Sequence, residues 1–170
     1  MGNKKSKLVP TPTTDHLEPV NNILFSIDPN SVPDIPGKGE RVECRICSIY
    51  DGDTCTALFM VGSTPIKTHL RFSGIDAPEI RGSSELEKQA AIAVRDWLKK
   101  YLDSQTTWWV YIIGKEKYGR ALCDVYDSEV SQHSLNENLL KRGMVKRYTG
   151  GKREAWTDEE LYEIIELCSP

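Results

Sequence analysis

Two short acidic motifs stand at the ends of apolar runs, Asp51-Gly52-Asp53-Thr54 and Asp76-Ala77-Pro78-Glu79. Taken singly, the first reads as a turn and the second as a strand exit fixed by proline. Taken together they set a group of carboxylates at strand ends, where a hard cation could be held by oxygen ligands. Two arginines accompany them. Arg71 lies five residues before Asp76 on what reads as the same strand, so its side chain can point toward the same end of the domain. Arg120 closes Lys117-Tyr118-Gly119-Arg120, where the chain turns into a further strand. A solvated surface position is the usual fate of an arginine. Phosphoryl chemistry nevertheless rewards it, because the planar guanidinium grips phosphate oxygens at two points and keeps its charge.

Zinc fits this set less well. It prefers histidine and cysteine clusters, whereas His16, His69 and His133 are scattered and Cys44-x-x-Cys47 has no partner pair. On a strand, that cysteine pair reads as buried packing.

The elements that must position these groups follow from periodicity. Val42, Cys44 and Ile46 alternate with polar residues, and Thr54 to Val61 forms a second strand-like run. Asp51-Gly52 between them has the composition of a hairpin turn, in which both residue types tolerate positive φ. Further strands are expected over 66–75, 106–113 and 121–126. Ser83 or Ser84 can cap a helix with Leu86, Ala90, Val94, Trp97, Leu98 and Tyr101 on one face. A second helix is expected from about Ser134 to Arg142, ending at Gly143. A third opens at Thr157-Asp158-Glu159-Glu160, which has capping-box spacing. The set describes an α+β domain, and a compact five-stranded barrel is its simplest closure because that hides the edges of short strands.

Length and composition agree. The 170 residues suit one domain with a tail, and 39% hydrophobic with 28% charged residues describes a soluble folded chain. Six of the nine prolines fall in the first 40 residues, so 1–40 is expected to be a mostly disordered extended arm and 41–170 the folded domain. Five cysteines and no apolar leader point to a reducing, intracellular (cytoplasmic) location. With a net charge of −3, binding of nucleic acid by bulk electrostatics is disfavoured, so any such binding needs a local patch or a metal ion.

From about Arg41 to Tyr148 the sequence resembles the staphylococcal nuclease (thermonuclease-like) family. The resemblance rests on Asp51-Gly52-Asp53-Thr54, on Arg71 followed by Ile75-Asp76-Ala77-Pro78-Glu79, and on Lys117-Tyr118-Gly119-Arg120-Ala121-Leu122. Leu135-Asn136-Glu137-Asn138-Leu139-Leu140 through Gly143 completes it. Each piece is weak alone, but their order and spacing together are specific. The resemblance implies a five-stranded OB-type barrel with about three helices and Ca²⁺-dependent hydrolysis of DNA and RNA by a monomer. It implies Asp53, Asp76 and the Ala77 carbonyl as metal ligands and Glu79 as the group that positions or deprotonates water. Arg71 and Arg120 would stabilise the transition state, with Tyr118, Lys117 and Tyr148 at the substrate. A rival expectation is a nuclease-like barrel that binds nucleic acid or a protein partner without cleaving anything; such modules typically lack part of the set, which is complete here.

The departures are informative. A tyrosine pair usual in the family is reduced to Tyr148, and Ile80-Arg81-Gly82-Ser83-Ser84 is a short loop before the helix. Lys141, Arg142, Lys146, Arg147, Lys152 and Arg153 form a basic stretch that either tracks a nucleic-acid backbone or decorates a helix C-terminus.

Met1-Gly2-Asn3-Lys4-Lys5-Ser6-Lys7 fits the N-myristoylation pattern, with lysines as a second, electrostatic membrane signal. Peripheral membrane association through an acylated Gly2 is therefore expected, the arm serving as tether. In eukaryotic cells Gly2→Ala should release the protein from membranes without altering its activity in solution. Mass spectrometry showing an unmodified wild-type N-terminus would end the tether idea.

Overall fold

The computed structural model describes Asp28 and residues 35–169. The elements below belong to one compact unit, Asp34–Pro170. Gly2, the adjoining lysines, His16 and most of the expected arm lie outside the described residues. Ile35 is buried in the core and the Gly39 N–H donates to the Ile112 carbonyl at 2.8 Å, so packed chain begins ahead of Arg41.

Five strands close into a barrel: β1 (Arg41–Ile49), β2 (Thr54–Val61), β3 (Thr64–Phe72), β5 (Trp108–Lys115) and β6 (Ala121–Tyr126). Their order around the barrel is β1-β2-β3-β6-β5, and β5 pairs back onto β1. All pairs are antiparallel except β3 with β6, where Leu70, Arg71 and Phe72 face Ala121, Leu122 and Cys123. The alternation expected of these runs is present: Ala121, Cys123 and Val125 are buried while their neighbours on β6 are half-exposed. Closure leaves no free edge for another strand to join.

Among the described residues three helices complete the unit: α1 (Glu85–Leu102), α2 (Leu135–Lys141) and α3 (Asp158–Cys168). Ser84, rather than Ser83, caps α1 by accepting from the Glu87 N–H at 3.1 Å. Ser134 with Glu137 and Thr157 with Glu160 form reciprocal capping boxes at α2 and α3. Helix α1 buries Ala90, Ala91, Val94, Leu98 and Leu102, and α3 packs on it through Leu161 and Ile164. Asn136 fastens α2 to the barrel. Its amide donates to the Ser73 and Cys123 carbonyls and to Asp124, and its oxygen accepts from the Val125 N–H.

Three expectations need correction. The strand foreseen over 66–75 breaks: β3 ends at Phe72 and a separate two-residue strand, β4 (Ile75–Asp76), follows. Gly74 at φ 69° turns the chain, and the Ser73 N–H is drawn to the Cys123 carbonyl at 2.8 Å. Arg71 and Asp76 therefore lie on different strands that meet at a corner. Strand β4 pairs with β7 (Lys146–Arg147), which sets Asp76 opposite Lys146. The second correction concerns Cys44 and Cys47: only Cys44 is buried, because residues three apart on a strand face opposite sides. Burial pushes the Cys44 thiol up to about 12, so it stays a neutral packing group.

The third concerns Gly52, whose φ is not positive. Glycine is required there by packing. A side-chain carbon at Gly52 would stand 2.6 Å from Ala77 Cβ and 2.9 Å from Val94 Cγ1, so the first acidic loop lies directly on the second and on α1. Gly52→Ala should therefore destabilise the protein by about 1–3 kcal/mol, the range of an overpacked core. Gly114→Ala, where the added carbon meets nothing within 4 Å, should stay within about 0.5 kcal/mol. Denaturant unfolding of the two variants reads the difference.

Candidate active site

The two acidic loops and the corner between β3 and β4 converge at one end of the barrel. Across the β2–β3 pair Thr54 faces Arg71, so the register of that pair alone brings Asp53 beside the arginine. Arg71 is only 6% exposed, and its guanidinium lies between two carboxylates that are buried as deeply. One of its terminal nitrogens meets Asp53 Oδ2; the other lies 3.4 Å from Asp76 Oδ1 and donates to the Ile75 carbonyl at 3.1 Å. Arg71 and Asp53 thus form a buried ion pair.

Asp53 is held from three further directions. Its Oδ1 accepts from the Thr54 hydroxyl at 3.0 Å, its Oδ2 from the Ala77 N–H at 3.0 Å, and its own N–H donates to Asp51 Oδ1 at 3.2 Å. Arg120 reaches the same place from the turn between β5 and β6. Its Nη1 donates to Thr54 Oγ1 at 3.3 Å while Glu116 fixes its Nε at 2.9 Å. Beside it the Tyr118 ring is 72% exposed, with Lys117 Nζ 4.7 Å and Arg120 Cζ 5.9 Å from its centre. Asp53, Arg71, Asp76, Ala77, Glu79 and Arg120 are thus one cluster, with Lys117 and Tyr118 on its rim. Tyr148 enters the neighbourhood through its N–H, which donates to the Gly74 carbonyl at 2.9 Å, while its hydroxyl donates to the Gly151 carbonyl.

Two members of the cluster were not foreseen as site residues. Asp51 is 7% exposed and turned inward onto Asp53. Its position in the first acidic motif was the available signal. Arg153 is the larger surprise: its Nε lies 3.2 Å from Asp76 Oδ1 and its Nη1 bonds Glu79. In sequence it is one cation among six, and only the β4–β7 pairing brings its loop against the second acidic motif. The same pairing explains Lys146, which bonds Glu160 at 2.8 Å and the Ala155 carbonyl at 2.9 Å, and so braces the C-terminal segment rather than facing solvent.

Burial dominates the electrostatics. It pushes the Asp51 carboxyl up, and the nearby Glu79 charge adds to the effect. Asp76 is raised by burial against the pull of Arg153 and Arg71. The Arg71 guanidinium is lowered by burial, with Asp76 opposing and the like charges of Arg120 and Arg153 assisting. Four carboxylates and three guanidiniums therefore share a partly desolvated corner in which each depends on the others' charge. A cluster of this kind in a cleft is a candidate functional site.

The donors that could hold a metal are all oxygen. Among the described residues no three His, Cys, Asp or Glu side chains converge into a cage, so the set amounts to Asp53, Asp76 and backbone oxygen. That chemistry fits a hard cation that keeps much of its water. It does not fit a structural zinc, which needs four protein ligands.

An OB-type barrel carrying a carboxylate–arginine cluster at one end is a nuclease-like domain. The family model described as staphylococcal nuclease homologue matches residues 69–166, and the chain belongs to that family. The match begins at His69, so Asp51 and Asp53 lie outside it; the contacts with Arg71 and Ala77 are what join them to the matched part. No curated protein matches the chain significantly.

The geometry separates the two expected arginines. Arg71→Ala would leave Asp53 and Asp76 buried with their shared cation gone, and should cost about 3–5 kcal/mol of stability in a chelator. Arg120 is partly exposed, and Arg120→Ala should cost less than about 1 kcal/mol. Denaturant titration of both variants checks this; equal losses would mean that Arg71 is not the keystone of the cluster.

Proposed function

We propose that this protein is a Ca²⁺-dependent nuclease that hydrolyses phosphodiester bonds of DNA and RNA. The observation that carries the reading is the buried Arg71 between Asp53 and Asp76, with Arg120 joined to the same cluster through Thr54. Neither a purely structural ion pair nor a generic binding surface needs two guanidiniums and four acids at one desolvated corner.

In this reading Asp53, Asp76 and the Ala77 carbonyl hold the ion. When bound, Ca²⁺ would neutralise phosphate charge and polarise the P–O bond toward attack. Arg71 and Arg120 would bind the non-bridging oxygens, whose charge grows as the fifth oxygen adds to phosphorus. Glu79 would take a proton from the attacking water, a step typically worth about 10²–10⁴-fold. Arg71 is suited to its part because Asp53, Asp76 and the Ile75 carbonyl hold its plane before substrate arrives, so little reorganisation is left for the reaction. Exposed Tyr118 and Lys117 would meet the departing strand, the ring by stacking on a base. On the sequence motif alone, an acylated Gly2 would set this enzyme at the cytoplasmic face of a membrane.

The test is cleavage of plasmid and single-stranded DNA by purified protein with Ca²⁺ or with a calcium chelator. Cleavage should require Ca²⁺, and Glu79→Gln should lower kcat about 10²–10⁴-fold with little change in metal affinity. Binding without cleavage at any Ca²⁺ concentration would support the non-catalytic barrel instead, and activity that persists in chelator would remove the metal assignment.

A further inference from the structure

Resting on that reading, the structure assigns Arg153 as a third phosphate-binding guanidinium, parked on Asp76 and Glu79 until a polyanionic strand takes it over. Three observations lead there. The first is its company: Arg153 bonds the same Asp76 Oδ1 that Arg71 bonds, and its Nη1 holds Glu79. Arg120 reaches the same cluster through Thr54, so three guanidiniums gather at one corner. Planar forks grouped in this way can meet phosphate oxygens in pairs.

The second observation is mechanical. The segment carrying Arg153 is anchored at both ends, by the Tyr148 N–H on the Gly74 carbonyl at 2.9 Å and by Lys146 on the Ala155 carbonyl at 2.9 Å. Between those anchors the Arg153 side chain is 45% exposed and lines an open cleft of about 340 Å³ with Asp76, Glu79 and Ser84. The backbone thus delivers the guanidinium to a fixed place while its head keeps freedom to change partners. In the pair with Glu79 both side chains are open to water, which weakens the attraction and lets the partners be exchanged.

The third observation is chemical. Arg153 Nη1 holds Glu79 and its Nε lies 3.2 Å from Asp76 Oδ1, so the guanidinium occupies carboxylate oxygens that an attacking water and a cation would need. The working state therefore needs Arg153 elsewhere. The anion that arrives at that moment is the phosphate backbone of the strand, and a planar fork suits its oxygens. Arg153 in this role positions substrate and does not touch the reacting bond.

The experiment compares full-length wild type, Arg153→Ala and Arg153→Lys in three measurements. Calcium is titrated by calorimetry without nucleic acid. Binding of a phosphorothioate-linked single-stranded oligonucleotide, which keeps its charge and resists cleavage, is followed with Ca²⁺ at several salt concentrations. Steady-state kinetics on single-stranded DNA give kcat and KM separately. Arg153→Ala should bind Ca²⁺ more tightly, because a competing cation has left Asp76. Its KM and its oligonucleotide Kd should rise about tenfold, as expected for one charge-assisted contact, while kcat falls by less than about threefold. The slope of log Kd against log salt should fall by about 0.7, one phosphate contact on a single strand. Arg153→Lys should recover part of the affinity. Unchanged Kd, KM and salt slope in Arg153→Ala would overturn the proposal, as would a fall in kcat with KM unchanged. If wild type cleaves nothing, the nuclease reading fails by itself, and the calcium and oligonucleotide titrations still decide the part played by Arg153.

Discussion

The structure turns on a cation that is out of water. Arg71 is buried at the rim of the barrel, and a guanidinium in that position is tolerated only where carboxylates and carbonyls meet it closely. Asp53 comes from the loop before β2, Asp76 and the Ile75 carbonyl from β4, and Arg71 itself from β3. Three stretches of chain are therefore committed to one point. Gly52 exists as glycine because that commitment presses the first acidic loop onto Ala77 and α1. The arrangement carries its own tension: burial raises Asp51 and Asp76 and lowers Arg71, so the charges that recommend the corner for chemistry are the ones the fold holds least comfortably. Active sites are commonly places where a protein gives up stability for a preorganised field.

Barrel closure supplies the rigid frame. The antiparallel β2–β3 register sets Thr54 against Arg71, and the parallel β3–β6 register carries the chain from Arg120 past the same arginine. A shift of one residue in either pair would turn Arg71 to the other face of the sheet. Asn136 guards the second of these pairs from α2, its side chain bonding the Ser73 and Cys123 carbonyls and the Val125 N–H. The packing of α3 on α1 and the bracing of the C-terminal segment by Lys146 belong to the same frame, since both fix the loop that bears Arg153.

Much of this was legible in the residues. Capping boxes at Ser134 and Thr157 are local devices, decided within four residues, and they appear where the spacing puts them. The alternation of Ala121, Cys123 and Val125 belongs to a strand with one face in the core, and it survives folding for the same local reason. The two acidic motifs with Arg71 and Arg120 also kept their association, because their order along the chain follows strand ends that a small barrel gathers at one rim. Cys47 and the length of β3 were misread because alternation says that a face exists, while a corner such as Ser73–Gly74 is set by partners elsewhere: the Cys123 carbonyl and Asp124.

The amino-acid sequence by itself determined the elements, the caps and the family to which the chain belongs, since each depends on residue type at short spacing. Tertiary structure alone decided what the charges do. Nothing in Lys152-Arg153-Glu154 distinguishes a solvated cation from one that grips Asp76 and Glu79, and nothing in Asp51-Gly52-Asp53 tells whether its glycine serves a turn or a close approach. Those answers depend on which distant segments are neighbours and on how much water they exclude. A charge's partner and its surroundings are both set across the whole fold, because Coulomb interaction and desolvation act through space and not along the chain.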